Sequence, residues 1–274
     1  ILSASFLLAE NVVINNKSFE VNVISSDYTN TVLEYNFGAF EQTPIIIEGE
    51  TYYQINLENG TQTYEQGAPS LPKITRSLII SDYADPNVTV IESDFVEFEM
   101  KVAPSKGKIS RDIDPATVPF EFGNSYYVDS FFPRGITKTD SPYIMRDFRG
   151  TALTVYPFAY NHQTQTLRVY THIVLEVNSD GTGGNNVRIN PSEGYNKNFV
   201  QMYENHFINF TPTRYETIDE RGRMIVISYG NFMDAMQPFV DWKNQKGIQT
   251  EMYNVADIGS NANSIKAFIQ SEYD

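Results

Sequence analysis

Nucleophilic catalysis needs an activated Cys, or a Ser on a strained strand-to-helix elbow beside a base. This chain contains no cysteine and no Gly-x-Ser-x-Gly pattern. Its three histidines, His162, His172 and His206, fall in an expected turn, strand and helix, and none has a neighbour at metal-ligand spacing. Each reads first as a satisfied surface or core residue. Carboxylates are plentiful but scattered. Asp112, Asp114, Asp140 and Asp147 sit in loop-like contexts where oxygen ligands could serve calcium, yet no stretch has EF-hand spacing. No glycine-rich phosphate cradle opens a predicted helix. Taken alone, the residues make no complete active site: no catalytic residue, no metal ligand and no cofactor is assigned.

Three arginines have more distinctive settings. Arg134 stands between Pro133 and Gly135, behind Phe131 and Phe132, whose rings would anchor the base of the loop. Arg111 ends the basic loop Ala103-Pro104-Ser105-Lys106-Gly107-Lys108-Ile109-Ser110-Arg111-Asp112. An ordinary polar turn is the plain alternative for both loops. Arg214 lies in the charge-dense stretch 213–223, where the sequence grammar changes, and is a candidate processing site at a domain junction.

The elements that must position these residues follow from composition and pattern. A length of 274 residues suggests one large or two ordinary domains, and 41% hydrophobic residues are ample for a packed core. The aromatics are 18 Tyr and 18 Phe against one Trp, a bias that suits half-buried strands. A formal net charge of −14 disfavours nucleic acid as a partner. Without cysteine there are no disulfides and no zinc–thiolate sites. No apolar run approaches the roughly 20 residues that span a bilayer. Residues 1–17 form a separate N-terminal segment, read either as a signal-peptide remnant or as an edge strand.

From Glu10 to about Val177 short runs of β-branched and aromatic residues alternate with polar ones. Examples are Ser18–Ile24, Thr51–Leu57, Asn87–Glu92, Phe95–Met100 and Thr166–Val177. Asn59-Gly60 supplies a hairpin-type turn signal. The spacing predicts an antiparallel β-sandwich or barrel. A stretch rich in Gly, Asn and Ser from Asn178 to Asn190 reads as a flexible connection. Phe199, Tyr203, Phe207 and Phe210 recur at helical spacing and predict an amphipathic helix over about 198–210, its aromatic stripe packed on a neighbour.

After the junction the grammar becomes βαβα. The apolar run Arg223–Ser228 predicts a buried parallel strand. A helix capped by Asn231 and ending near Gly247 follows, with Phe232, Met236, Phe239 and Val240 on one face. Thr250–Val255 is the second strand, and Ala262–Tyr273 a second helix with Ile265, Phe268 and Ile269 inward. Two strands and two helices cannot cover both faces of a parallel sheet, so the α/β domain is expected to continue beyond Asp274.

Several separated motifs resemble the gingipain-type secreted cysteine endopeptidase precursors of peptidase family C25. In the pro-region these are Ala103-Pro104-Ser105-Lys106-Gly107 with Ile109-Ser110-Arg111, Phe131-Phe132-Pro133-Arg134, Arg146-Asp147-Phe148-Arg149-Gly150 and Leu167-Arg168-Val169-Tyr170-Thr171. At the start of the catalytic domain they are Gly222–Ile227, Phe239–Gly247 and Thr250-Glu251. The likeness runs from about Phe19 to Asp274. It implies a mostly β pro-domain over 18–214, a junction at 215–222, and from 223 the beginning of an α/β, caspase-like catalytic domain. The pro-domain would assist folding and hold the enzyme latent.

The resemblance also implies functional residues. Arg134, with Phe132 and Pro133, matches the inhibitory loop that places an arginine in the P1 pocket. Arg111 and Arg214, with Tyr215 as the new N-terminus, match the processing sites. The catalytic Cys and His would lie beyond Asp274, so this chain should be inactive alone. Structural calcium is an option only for the parent's catalytic domain. The implied partners are the cognate catalytic domain and the parent's peptide substrates, and the implied location is the exterior or cell surface of a Bacteroidetes-type bacterium. Two other readings remain: a β-sandwich adhesion module with a degenerate α/β domain, and a sortase-like relative in the secretion machinery.

Overall fold

Alternating apolar and polar residues pair into antiparallel ladders because each strand then buries one face and wets the other. The computed structural model describes residues 8–189, 191, 194–218 and 222–273, and it divides after Glu216 into two compact units. Among the described residues, the first unit contains three antiparallel sheets of three or more strands. Glu10–Val13, Ala39–Ile47 and Glu50–Asn56 form one. Tyr143–Met145, Phe148–Val155, Pro72–Ile79 and Thr61–Gln62 form the second, with Thr137–Thr139 alongside Phe148–Val155. Phe158–Asn161, Thr166–Asn178, Asn30–Asn36 and Glu20–Ser26 form the third, with Asn87–Glu99 also on Thr166–Asn178.

The main core collects the inward alternate residues of the second and third sheets. Leu33, Tyr35, Leu167, Val169, Ile173 and Leu175 meet Ile74, Leu78, Leu153 and Val155, all with negligible exposure. Asn87–Glu92 and Phe95–Met100 are parts of one strand, Asn87–Glu99, rather than two. Register shifts at Thr171 and Ile91 insert an extra residue first in one strand and then in the other. These bulges bend a 13-residue pair that straight strands would hold rigid.

Three local expectations need correction. Asn59-Gly60 does not close a hairpin: the turn carries the chain from Glu50–Asn56 to Thr61–Gln62, which belongs to a different sheet. The helix expected over 198–210 is a 3₁₀ turn, Lys197–Phe199, followed by Val200–His206 only. Phe207 is already extended, because Ser77 and Ile79 offer Ile208 and Asn209 sheet-edge hydrogen bonds that outcompete another helical turn. The 179–189 connection is not simply loose, since its carbonyls bind Arg149. Of the N-terminal segment, residues 1–7 lie outside the described residues, and Glu10–Val13 is an edge strand.

The second unit pairs Met224–Ser228 with Thr250–Asn254 in parallel. Helix Met233–Gln245 connects them, and Ala262–Tyr273 follows. Asn231 is not its cap but lies inside a 3₁₀ turn, Gly230–Phe232, that leads into the helix. Gly247 takes φ +81°, the left-handed conformation that closes a helix C-terminus. Val240 is the one hydrophobic side chain of this unit that is buried among the described residues. Ile269, expected inward, is substantially exposed, as is Phe239 on the face shared with Val240.

The Tyr35 hydroxyl is buried with no hydrogen-bond partner among the described residues, and burial pushes its ionisation far above the ordinary phenol range. Tyr35→Phe should therefore raise unfolding stability by about 1 kcal/mol in urea titration, since it removes an unpaired buried hydroxyl. A clear loss would show that the hydroxyl has a partner.

Candidate functional site

Phe132 and Tyr160 exchange backbone hydrogen bonds of 2.9 and 2.8 Å, an isolated antiparallel bridge that pins the entry to the Arg134 loop. The Phe132–Pro133 peptide is cis. On the exit side Tyr156 N–H donates to Ile136 O at 2.8 Å, and Ile136 packs on the main core. Only Pro133, Arg134 and Gly135 lie between these anchors. Arg134 is exposed, and its guanidinium has no hydrogen-bond or ion-pair partner among the described residues. A short loop held at both ends thus carries an uncommitted cation.

The Arg111 loop is built differently. Residues 110–117 are all exposed. Asp112 accepts a hydrogen bond from the Ser110 hydroxyl, which holds its carboxyl below the usual range. Asp114 caps the turn Pro115–Thr117 by accepting from Ala116 N at 2.9 Å. Lys106 Nζ donates to Pro115 O at 2.8 Å and lies 4.2 Å from the centre of the Phe120 ring. These contacts tie down the loop's base and leave Arg111 outside.

At Arg214 the chain is held. Arg214 Nη1 donates to Ser26 Oγ at 2.9 Å. The Tyr215 ring stacks on Phe210 at 5.8 Å and meets Phe148 edge-on at 4.8 Å. Burial raises the Tyr215 phenol above its ordinary ionisation range. Phe148, Tyr195, Tyr203, Phe207 and Phe210 complete this second core, which is the destination of the aromatic stripe foreseen from spacing. Phe199 stays half-buried, under the Arg146 guanidinium at 3.9 Å.

The motif Arg146–Gly150 organises this corner. Arg146 sits at φ +52° in the two-residue loop between Tyr143–Met145 and Phe148–Val155. Asp147 Oδ2 accepts from the Tyr203 hydroxyl at 2.6 Å and from Asn196 N at 3.0 Å. Arg149 is fully buried and commits all five N–H donors. Nε donates to Asn186 O (3.0 Å), Nη1 to Ser81 O (2.7 Å) and Ala84 O (2.6 Å). Nη2 donates to Asp85 Oδ1 (2.9 Å) and Asn185 O (2.6 Å). The Asn185 backbone N–H in turn keeps the Asp85 carboxyl below its usual range. A side chain at Gly150 would start 2.5 Å from the Phe207 ring, so only glycine lets that ring close over the strand.

The four loop aspartates are not brought together. Asp147 is spent on Tyr203, Asp114 and Asp112 on their own loop, and Asp140 lies 3.9 Å from Lys138 Nζ. Strand pairing does juxtapose Glu92, Asp94 and His172, the one trio of ligand atoms within 4.8 Å found among the described residues. Spacing along the chain could not show this, since these residues meet only across a ladder. His172 Nε2 is already engaged with Glu34 at 3.1 Å. His206 Nε2 pairs with the Tyr143 hydroxyl at 2.7 Å, and His162 Nδ1 with Tyr160 at 3.2 Å. Burial lowers the His162 pKa. A cavity of about 270 Å³ adjoins the junction, lined by Tyr28, Asp82, Arg188, Arg214 and Tyr215 among others.

The propeptide model of family C25 matches residues 14–218, and the model described as peptidase family C25 matches residues 217–274. The chain belongs to peptidase family C25. It carries the family's propeptide and part of its peptidase domain. Gingipain R1 of Porphyromonas gingivalis is 40% identical over 220 residues, covering 78% of this chain. Gingipain R2 of strain W83 is 34% identical over 260 residues, covering 93% of it. Lys-gingipain of the same species is more distant, at 25% over 249 residues. The chain spans 22% of the length of gingipain R1 and 35% of gingipain R2. Among solved structures, the complex of P. gingivalis RgpB pro- and mature domains aligns at TM-score 0.65 and 31% identity. That match covers 70% of this chain and 98% of that one. The structure addressing zymogenic latency of P. gingivalis gingipain K aligns at TM-score 0.55 and 21% identity, over 64% of this chain and all of that one, and supports the fold alone.

Two outcomes follow from this geometry. Arg149→Met strands four backbone carbonyls and Asp85, and should destabilise the chain by about 3–5 kcal/mol in denaturant titration. Phe210→Leu removes the ring stacked on Tyr215, so trypsin-type cleavage after Arg214 should accelerate several-fold. Cleavage after Arg111, in its exposed loop, should stay unchanged in the same digest and serves as the internal control.

Proposed function

We propose that this chain is the latency region, with a leading segment of the peptidase, of a secreted Arg-specific cysteine endopeptidase, and that Arg134 blocks the cognate active site. The observation that carries this reading is the uncommitted Arg134 guanidinium on a three-residue tip anchored at both ends. A planar five-donor fork suits an acidic P1 pocket, where a carboxylate can grip it bidentately. Because the loop is already ordered, little conformational entropy is lost when it inserts. The propeptide match, the gingipain R relatives and the RgpB pro- and mature-domain complex support the assignment. The βαβ pair of the second unit suits the opening of a caspase-like sheet. The chain has no cysteine, so the nucleophile is not among its residues.

Secretion is inferred from the P. gingivalis gingipain relatives. No described helix is long and apolar enough to cross a membrane.

Processing follows the two contrasting arginine settings. A protease needs a segment that it can reach and draw out, and the 110–117 loop is exposed throughout. The Arg214–Tyr215 bond becomes accessible only when Tyr215 leaves the aromatic core. Cleavage after Arg111 therefore precedes cleavage after Arg214, which separates the propeptide, 18–214, from a peptidase that begins at Tyr215.

The 274-residue chain should inhibit the mature cognate peptidase, and Arg134→Ala should weaken inhibition by about 30-fold, roughly 2 kcal/mol. Unchanged inhibition would remove Arg134 from the role. N-terminal sequencing during maturation should find Asp112 first and Tyr215 later; a different mature N-terminus would move the junction.

A further inference from the structure

We infer that Arg168 is the positioning residue of the Arg134 loop, acting through a cation–π stack that fixes Phe131. The inference rests on the reading of Arg134 as the blocker. Arg168 points from the outer face of Thr166–Asn178, and its guanidinium lies over two rings. The ring centroids are 4.2 Å away for Phe95 and 4.1 Å for Phe131. Nε and Nη2 both donate to Glu97 Oε1, at 3.0 and 2.7 Å. Phe95 is itself braced edge-on by Tyr170 at 5.9 Å.

The four residues come from three places: Phe95 and Glu97 from one strand, Arg168 from its neighbour, and Phe131 from the loop. Their meeting couples the loop to the rigid ladder between Asn87–Glu99 and Thr166–Asn178. Phe131 immediately precedes the Phe132–Tyr160 bridge. The backbone bridge fixes where the loop leaves the sheet, and the stacked Phe131 ring fixes its direction. A planar guanidinium is needed here, because it can present a flat surface to a ring while its edge holds a carboxylate. A lysine ammonium has no such plane.

The two arginines are thus divided by charge as well as by place. Arg168 is neutralised by Glu97, whereas Arg134, three residues beyond the stacked Phe131, has no charged partner among the described residues. Only the latter is available to an acidic pocket. A loop held in one conformation can sit in a protease site without being turned over. When the same loop is released, it becomes a flexible Arg-containing substrate.

The test titrates the 274-residue chain and its variants against the mature cognate peptidase, reading the inhibition constant and, by mass spectrometry, cleavage after Arg134. Arg168→Ala and Phe131→Leu should each weaken inhibition at least 10-fold and convert the loop into a substrate cut after Arg134. Phe131→Tyr, which preserves the stack, should restore inhibition and resistance. Arg168→Lys keeps the charge but should behave like Arg168→Ala. The double variant Arg168→Ala/Phe131→Leu should be no worse than either single one, because both break the same contact. Melting temperatures should stay near that of the parent; if Arg168→Ala fails to fold, Phe131→Leu and Glu97→Gln carry the test. Full inhibition by folded Arg168→Ala and Phe131→Leu, alongside weakened inhibition by Arg134→Ala, overturns the positioning role and leaves the blocker assignment standing. If Arg134→Ala itself inhibits normally, the blocker assignment fails first and the positioning role falls with it.

Discussion

A guanidinium leaves water only if every one of its donors is met inside the protein. Arg149 satisfies that constraint completely, and much of the first unit is arranged to let it do so. Two chain segments far apart in sequence, 81–85 and 185–186, turn their carbonyls toward one side chain. Gly184 is part of the arrangement, since a side chain there would lie 2.7 Å from Asp85 N. The neighbouring residues of the same short stretch then fix the rest of the corner. Phe148 seeds the second aromatic core, Asp147 holds Tyr203, and Gly150 admits Phe207. One charged burial thereby sets the path of the chain up to Tyr215.

Arginine is used in four physical states in this molecule. Arg149 is desolvated and saturated, Arg168 stacked and neutralised, Arg214 tethered to a hydroxyl, and Arg134 left to solvent. These states follow from how much water each head group keeps and how many fixed acceptors surround it. The same residue type is therefore buried, stacked, tethered or solvated according to its surroundings. A sequence shows only that each is an arginine.

Family membership and the fold class were readable in the chain itself. Period-two alternation of β-branched and aromatic residues is a local property, so strands such as Thr166–Asn178 could be placed within a residue or two. The shift to βαβα grammar after 222 is equally local. The aromatic stripe was legible as a buried face, but the helix carrying it was overdrawn. Phe207 and Asn209 obey a sheet edge at Ser77 and Ile79 that lies some 130 positions away. The hairpin reading of Asn59-Gly60 failed for a similar reason, since a turn signal says that the chain reverses and not which strand it rejoins.

What the sequence by itself determined is the set of locally encoded features: strand and helix periods, the Pro–Arg–Gly loop tip, the change of pattern near Arg214, and the motifs that mark the family. What only the tertiary structure decided is which arginines are held and by what. The partners of Arg149, the two rings over Arg168 and the core that holds Tyr215 are all contacts between segments distant along the chain. No spacing rule reports them, because they exist only once the ladders have set the registers that bring those segments together.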